Sequence, residues 1–159
     1  MKHSLKVVAI GVLAVVGAVA AQAQSNPIVG TWKLNTTKSK YNPGPMPQSL
    51  TRTIVADGDG VKYSFEGVAP DGSAIAYGFA TSFDGKAAPI TGSIPNGADS
   101  ISATKTDDHH YTATLKKGDK VVGSTKVTIS ADGKVTTVDA TGVTATGAKS
   151  HDVQVYDKQ

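Results

Sequence analysis

Along much of this chain, apolar side chains return at every second position. Val61, Tyr63 and Phe65 alternate with Lys62, Ser64 and Glu66, and Tyr111, Ala113 and Leu115 with Thr112, Thr114 and Lys116. Val127 and Ile129 alternate with Lys126, Thr128 and Ser130, and Val153 and Val155 with Asp152, Gln154 and Tyr156. Ile75, Tyr77, Phe79 and Phe83 share one parity, opposite mostly small residues. A period of two marks strands with one face on an interior and one toward water. Past residue 23, no window carries the 3.6-residue period of a helix.

Turn signals divide these runs at intervals of about 11 to 14 residues. They are Asp57-Gly58-Asp59-Gly60, Pro70-Asp71-Gly72-Ser73, Asp84-Gly85-Lys86, Pro95-Asn96-Gly97, Asp107-Asp108, Lys117-Gly118-Asp119, Asp132-Gly133-Lys134 and Thr146-Gly147. Asp-Gly and Asn-Gly provide the positive φ of tight hairpins. The spacing predicts about ten short strands, at 28–35, 49–56, 61–68, 74–83, 87–91, 99–105, 109–116, 120–130, 135–143 and 150–157. An open sheet of that size would leave two long edges, and closure removes them. The expected fold class is therefore all-β, an antiparallel up-and-down meander barrel of about 8–10 strands, with a two-sheet sandwich as the competing arrangement. Thr36–Gln48 is the one long irregular piece. Its prolines at 43, 45 and 47 bar both helix and central strand, so it runs over the surface or covers a barrel mouth.

Composition agrees with the pattern. There are 18 Thr and 17 Gly, one Glu, one Arg and no Cys, a balance suited to strands and turns. Without cysteine there is no disulfide framework and no thiolate chemistry. Lys2 and Lys6, the apolar stretch Val7–Ala20 and Ala21-Gln22-Ala23 form a signal-peptide pattern ending near Ala23. The apolar stretch is shorter than the roughly 20 residues that span a bilayer. The expectation is a cleaved segment 1–23, a single barrel domain over 24–159, and a periplasmic or secreted protein without a transmembrane span. Removing 1–23 takes two of the 16 basic residues and none of the 13 acidic ones, so most of the formal +3 charge disappears. Nucleic-acid binding, which requires a basic face, loses its basis.

Gly30-Thr31-Trp32-Lys33-Leu34 opens the first strand and puts Gly30, Trp32 and Leu34 on one face. A Gly-x-Trp at this place in a meander resembles the calycin superfamily of lipocalins and fatty-acid-binding proteins. Ile28 to Leu34 is most similar to the fatty-acid-binding type. The mature chain also resembles a group of small exported bacterial lipocalin-like proteins through Gly30 to Asn35, Lys38-Ser39-Lys40 and Pro43-Gly44-Pro45. The resemblance implies that Trp32, with Gly30, plugs the closed end of the barrel and that a basic residue of the last strand stacks over it. Lys158 is the only basic residue at that strand's end. Gln154-Val155-Tyr156 stands where the fatty-acid-binding pattern has Arg-x-Tyr, and the two-helix lid of that type is missing.

Among candidate chemical groups, Arg52 shares parity with Leu50 and Ile54. Three readings remain open: an inward anchor for a ligand carboxylate, a cation–π partner of Trp32, or a strand-end arginine reaching water. Tyr63, Phe65, Tyr77, Phe79 and Tyr111 are expected to share the interior, either lining a cavity or filling a core. Asp107-Asp108-His109-His110 suggests a metal or acid–base site. However, adjacent strand residues face opposite ways, and no nucleophile or oxyanion arrangement accompanies them. A polar hairpin tip is the favoured reading. Glu66 should face outward. Gly58–Gly60 is a turn without a following helix, not a phosphate loop. No metal, cofactor or catalysis is expected. The sequence points to a barrel that binds a small, partly hydrophobic molecule, with a packed envelope protein as the alternative.

Overall fold

The computed structural model describes residues 26–159. The signal-peptide segment expected at 1–23 lies outside them. Eleven strands form one antiparallel sheet: β1 (Gly30–Leu34), β2 (Ser49–Asp57), β3 (Gly60–Val68), β4 (Ala74–Thr81), β5 (Asp84–Pro89), β6 (Thr91–Ser93), β7 (Ser100–Asp107), β8 (His110–Lys117), β9 (Lys120–Ile129), β10 (Val135–Val143) and β11 (Lys149–Lys158). Their order is β5-β7-β8-β9-β10-β11-β1-β2-β3-β4-β6, so the first and last strands pair and the meander curls into a nearly closed barrel. No helix among the described residues is long and apolar enough to cross a membrane.

The expected strand at 87–91 is corrected by the structure. The run 84–93 is two strands meeting at Ile90: β5 pairs β7 from Asp84 to Pro89, and β6 pairs β4 through Thr91–Ser93. A single rising segment thus bonds one neighbour with its lower half and the other with its upper half. The two ends of the sheet order are joined covalently, which closes the ring without a full extra ladder.

Opposed residues of an antiparallel pair lie on the same face, so the register defines the lumen. One row reads Lys158–Trp32–Arg52–Phe65–Tyr77 and the next Ile54–Tyr63–Phe79. On the other wall the rows are Ala103–Ala113–Thr125–Ala140 and Ile101–Leu115–Gly123–Gly142. Glu66 is exposed on the outside. In β11 the alternation predicts the wrong inner face. Asp152, opposite Ala140, and Gln154, opposite Val138, line the lumen, and Tyr156 is buried on the same inner face, while the valines take the other parity.

The lower end of the barrel is sealed by the segment before β1. Ile28 and Trp32 have no exposed surface. Trp32 Nε1 donates to the Ile28 carbonyl at 2.8 Å, and Lys158 Nζ donates to that of Pro27 at 3.1 Å. Gly30 is favoured here by its φ of +140°, where a side chain is strained, and a Cβ, 2.7 Å from Lys158 Cε, would also push that flexible side chain aside. Gly30→Ala is expected to cost about 1–3 kcal/mol, measured as a shift of the urea unfolding midpoint.

Thr36–Gln48 divides its work. Its first part extends the sheet along β11: Lys40 and Val153 exchange backbone bonds of 2.8 Å, and Ser39 Oγ accepts from the Val155 N–H at 2.9 Å. The part from Tyr41 to Pro47 then crosses the upper mouth as a strap.

Candidate ligand-binding lumen

A cavity of about 490 Å³ runs from the strap down toward Trp32. One wall is aromatic. Tyr63 and Phe79 stack with centroids 4.5 Å apart, Phe65 and Tyr77 at 4.4 Å. These distances approach the 4.7–4.9 Å between strands, so the rings stand on edge, faces against each other and rims toward the lumen. The facing wall carries small residues, Ala103, Ala113, Ala140, Gly123 and Gly142, and the space remains unfilled on that side. The five aromatics expected to share the interior, Tyr63, Phe65, Tyr77, Phe79 and Tyr111, line the cavity, and Arg52 joins them.

Arg52 is 3% exposed, which discards the strand-end reading. Its guanidinium carbon lies 4.2 Å from the Tyr156 ring centroid and 5.5 Å from that of Trp32, with Lys158 Nζ 5.0 Å from the same indole. Two cations therefore meet one tryptophan, and Lys158 holds the position where the family resemblance implied a basic residue. Nε and Nη2 of Arg52 have no hydrogen-bond partner among the described residues, and no carboxylate pairs with it. Burial holds its guanidinium below the usual arginine value, offset in part by Tyr156, Tyr63 and Tyr77. Buried charge of this kind is expensive unless something compensates it.

Burial raises the hydroxyls of Tyr41, Tyr63 and Tyr77 well above the ordinary tyrosine value. Tyr156 is pushed up to about 12 by burial, with Arg52 pulling it down. In the unfolded chain Tyr156 titrates near 10.0. Its protonated form thus stabilises the fold in full below pH 10.0, and that contribution is lost as pH rises toward 12. Two units correspond to about 2–3 kcal/mol. Ultraviolet titration is expected to show tyrosinate lagging behind free tyrosine and then appearing together with unfolding.

Asp107–His110 is the tip of the β7–β8 hairpin. Asp107 accepts from the His109 N–H at 2.8 Å and contacts His110 Nδ1 at 2.8 Å. The Tyr111 ring enters the lumen, while its hydroxyl lies 3.0 Å from the Asp108 carbonyl and ties the tip to the barrel floor. Among the described residues no three His, Cys, Asp or Glu side chains converge.

Tyr41, Asp152 and Gln154 also line the lumen and were not singled out by sequence. Tyr41 sits in the irregular segment, where periodicity carries no signal. Asp152 and Gln154 occupy positions that alternation assigns to the solvent face.

The barrel and its plugged end make a calycin-like fold. No protein-family model matches the sequence, and no curated protein matches it. Solved structures do. The zebrafish ileal bile acid-binding protein complexed with cholic acid is similar at a TM-score of 0.52 and 16% identity, covering 84% of this chain and 99% of that one. A redesigned β-barrel, mFAP1, bound to DFHBI matches at 0.44 and 12% identity, over 84% and 96%. The siderocalin Ex-FABP, with dual ligand specificities, matches at 0.37 and 14%, over 84% and 74%. At these identities the bile acid-binding protein establishes the shape of the chain and nothing about its ligand.

Proposed function

We propose that this chain is an exported binding barrel which holds a small, partly hydrophobic, acidic molecule in its lumen and performs no chemistry on it. The observation that carries the reading is an aromatic-walled cavity with a buried arginine at its floor that has no acidic partner among the described residues. Apolar burial supplies the affinity, at roughly 25 cal/mol per Å² removed from water. Arg52 sets the orientation, since hydrogen bonds to a charged group are about twice as strong as neutral ones. The zebrafish barrel complexed with cholic acid is consistent with this use of the fold. Export rests on the pattern of residues 1–23.

The alternative, an envelope protein packed solid, is disfavoured by the run of small residues on the inner face of β7–β10. A structural barrel would gain stability by filling that space. Calorimetric titration with decanoate tests the proposal. Saturable binding of one decanoate per chain in the micromolar range is expected. Absence of heat and of displacement by any acidic amphiphile would refute it.

A further inference from the structure

The lumen holds a second ionisable group, of opposite charge and far from the first. Asp152 lies on the inner face of β11, opposite Ala140 and beneath the strap. Its Oδ1 accepts from the Asn42 N–H at 3.0 Å. No lysine or arginine pairs with it among the described residues. His151, its neighbour in sequence, points to the other face and engages Asp139 at 3.2 Å. Gln154, one inward position below, has its Oε1 occupied by the Tyr156 hydroxyl at 2.9 Å. The Asp152 carboxylate is thus left with an oxygen toward the lumen and no lysine or arginine among the described residues to meet it.

Asp152 and Arg52 do not compensate each other. Arg52 covers the Tyr156 ring, and Asp152 is four residues away along β11, a rise of about 13 Å. Apolar lining, including Val138, Ala140, Ala113 and Phe65, occupies the interval. In the empty protein the buried Arg52 charge is costly, and Asp152, half-buried at the mouth, loses part of its hydration. A single molecule carrying both complements relieves both costs at once.

We propose that the lumen is specific for a dipolar amphiphile, with an acidic group at Arg52 and, across an apolar segment, a strong hydrogen-bond donor such as an ammonium at Asp152. This rests on the lumen reading above and names its ligand class. Burial lifts the Asp152 carboxyl above its usual range, with the Asn42 N–H and the neighbouring His151 opposing, and a donor at that oxygen offsets the burial.

The test compares decanoate with ω-aminodecanoate by calorimetry, on the wild-type chain and on Asp152→Asn. The amide retains an oxygen for the Asn42 N–H and so keeps the strap in place. The ω-amino ligand is expected to weaken on the variant by at least about tenfold. Decanoate, whose methyl end faces Asp152, is expected to bind the variant more tightly. Equal shifts of both ligands in one direction would overturn the proposal. If Asp152→Asn does not fold, the wild-type protein alone decides. An unserved ammonium in an apolar cavity would make ω-aminodecanoate bind more weakly than decanoate, by as much as about a hundredfold, whereas an ammonium served by Asp152 binds at least as tightly as decanoate. The first result contradicts the proposal and leaves decanoate binding intact. Failure of decanoate itself removes the lumen reading and this one together.

Discussion

Trp32→Ala is expected to lower the folding free energy by about 4 kcal/mol, within the 3–5 kcal/mol range for truncating a buried large aromatic. The indole has no exposed surface and is clamped from every direction. Ile28 takes its N–H at 2.8 Å below, while Arg52 and Lys158 lie against the ring. Its removal opens a void at the sealed end and strips two cations of their platform. For a chain of this size the loss should lower the melting temperature by roughly 10–20 °C, measurable by circular dichroism. Trp32→Phe keeps a ring and loses the hydrogen bond, so its cost should be about 1–2 kcal/mol. A surface tryptophan would show neither effect.

Arg52→Met separates stability from binding. Methionine keeps an apolar stem between Trp32 and Tyr156 and removes the buried charge. The lost cation–π contacts are worth about 1–2 kcal/mol, and the relieved desolvation amounts to several kcal/mol. The variant should therefore be as stable as the wild type or about 1–2 kcal/mol more so. Decanoate affinity should fall by about 2–3 kcal/mol, roughly 30- to 150-fold. A stabilised barrel that no longer holds the acid is the expected signature of a ligand-binding arginine. A variant that unfolds with affinity unchanged per folded molecule would make Arg52 purely structural. Urea unfolding and calorimetry on the same preparations give both readings.

How far the sequence discloses this molecule differs from strand to strand. In β3 and β8 the lumen-facing residues are mostly aromatic or aliphatic and the outer ones mostly polar, in β4 the inner residues are large and the outer ones small, and in the second half of β9 Val127 and Ile129 face in, so period two reports the inner face correctly there. Arg52 shares its parity with Leu50 and Ile54, which leaves three readings open, and its burial decides for the interior. What parity cannot supply is register. Only the pairing of Trp32 with both Arg52 and Lys158 brings two cations to one indole. In β11 the alternation misleads because the lumen there is polar. Asp152 and Gln154 are inside, and the valines take the other face. A polar inner row inverts the contrast on which the rule depends. The division of 84–93 at Ile90 was hidden for a different reason: hydrogen-bond partners change there without any change in local composition. Tyr41 lies among prolines, where no periodic signal exists, and reaches the lumen only because Lys40 is bonded to Val153.

Methyl shifts of alanine during a decanoate titration, observed by NMR, test the central claim most directly. Ala103, Ala113 and Ala140 face the lumen, and Ala76 and Ala80 face solvent. Binding inside the barrel predicts that the first three move in a saturable manner with one midpoint while the other two stay in place. Movement confined to Ala76 and Ala80, or no movement at saturating decanoate, would contradict the account.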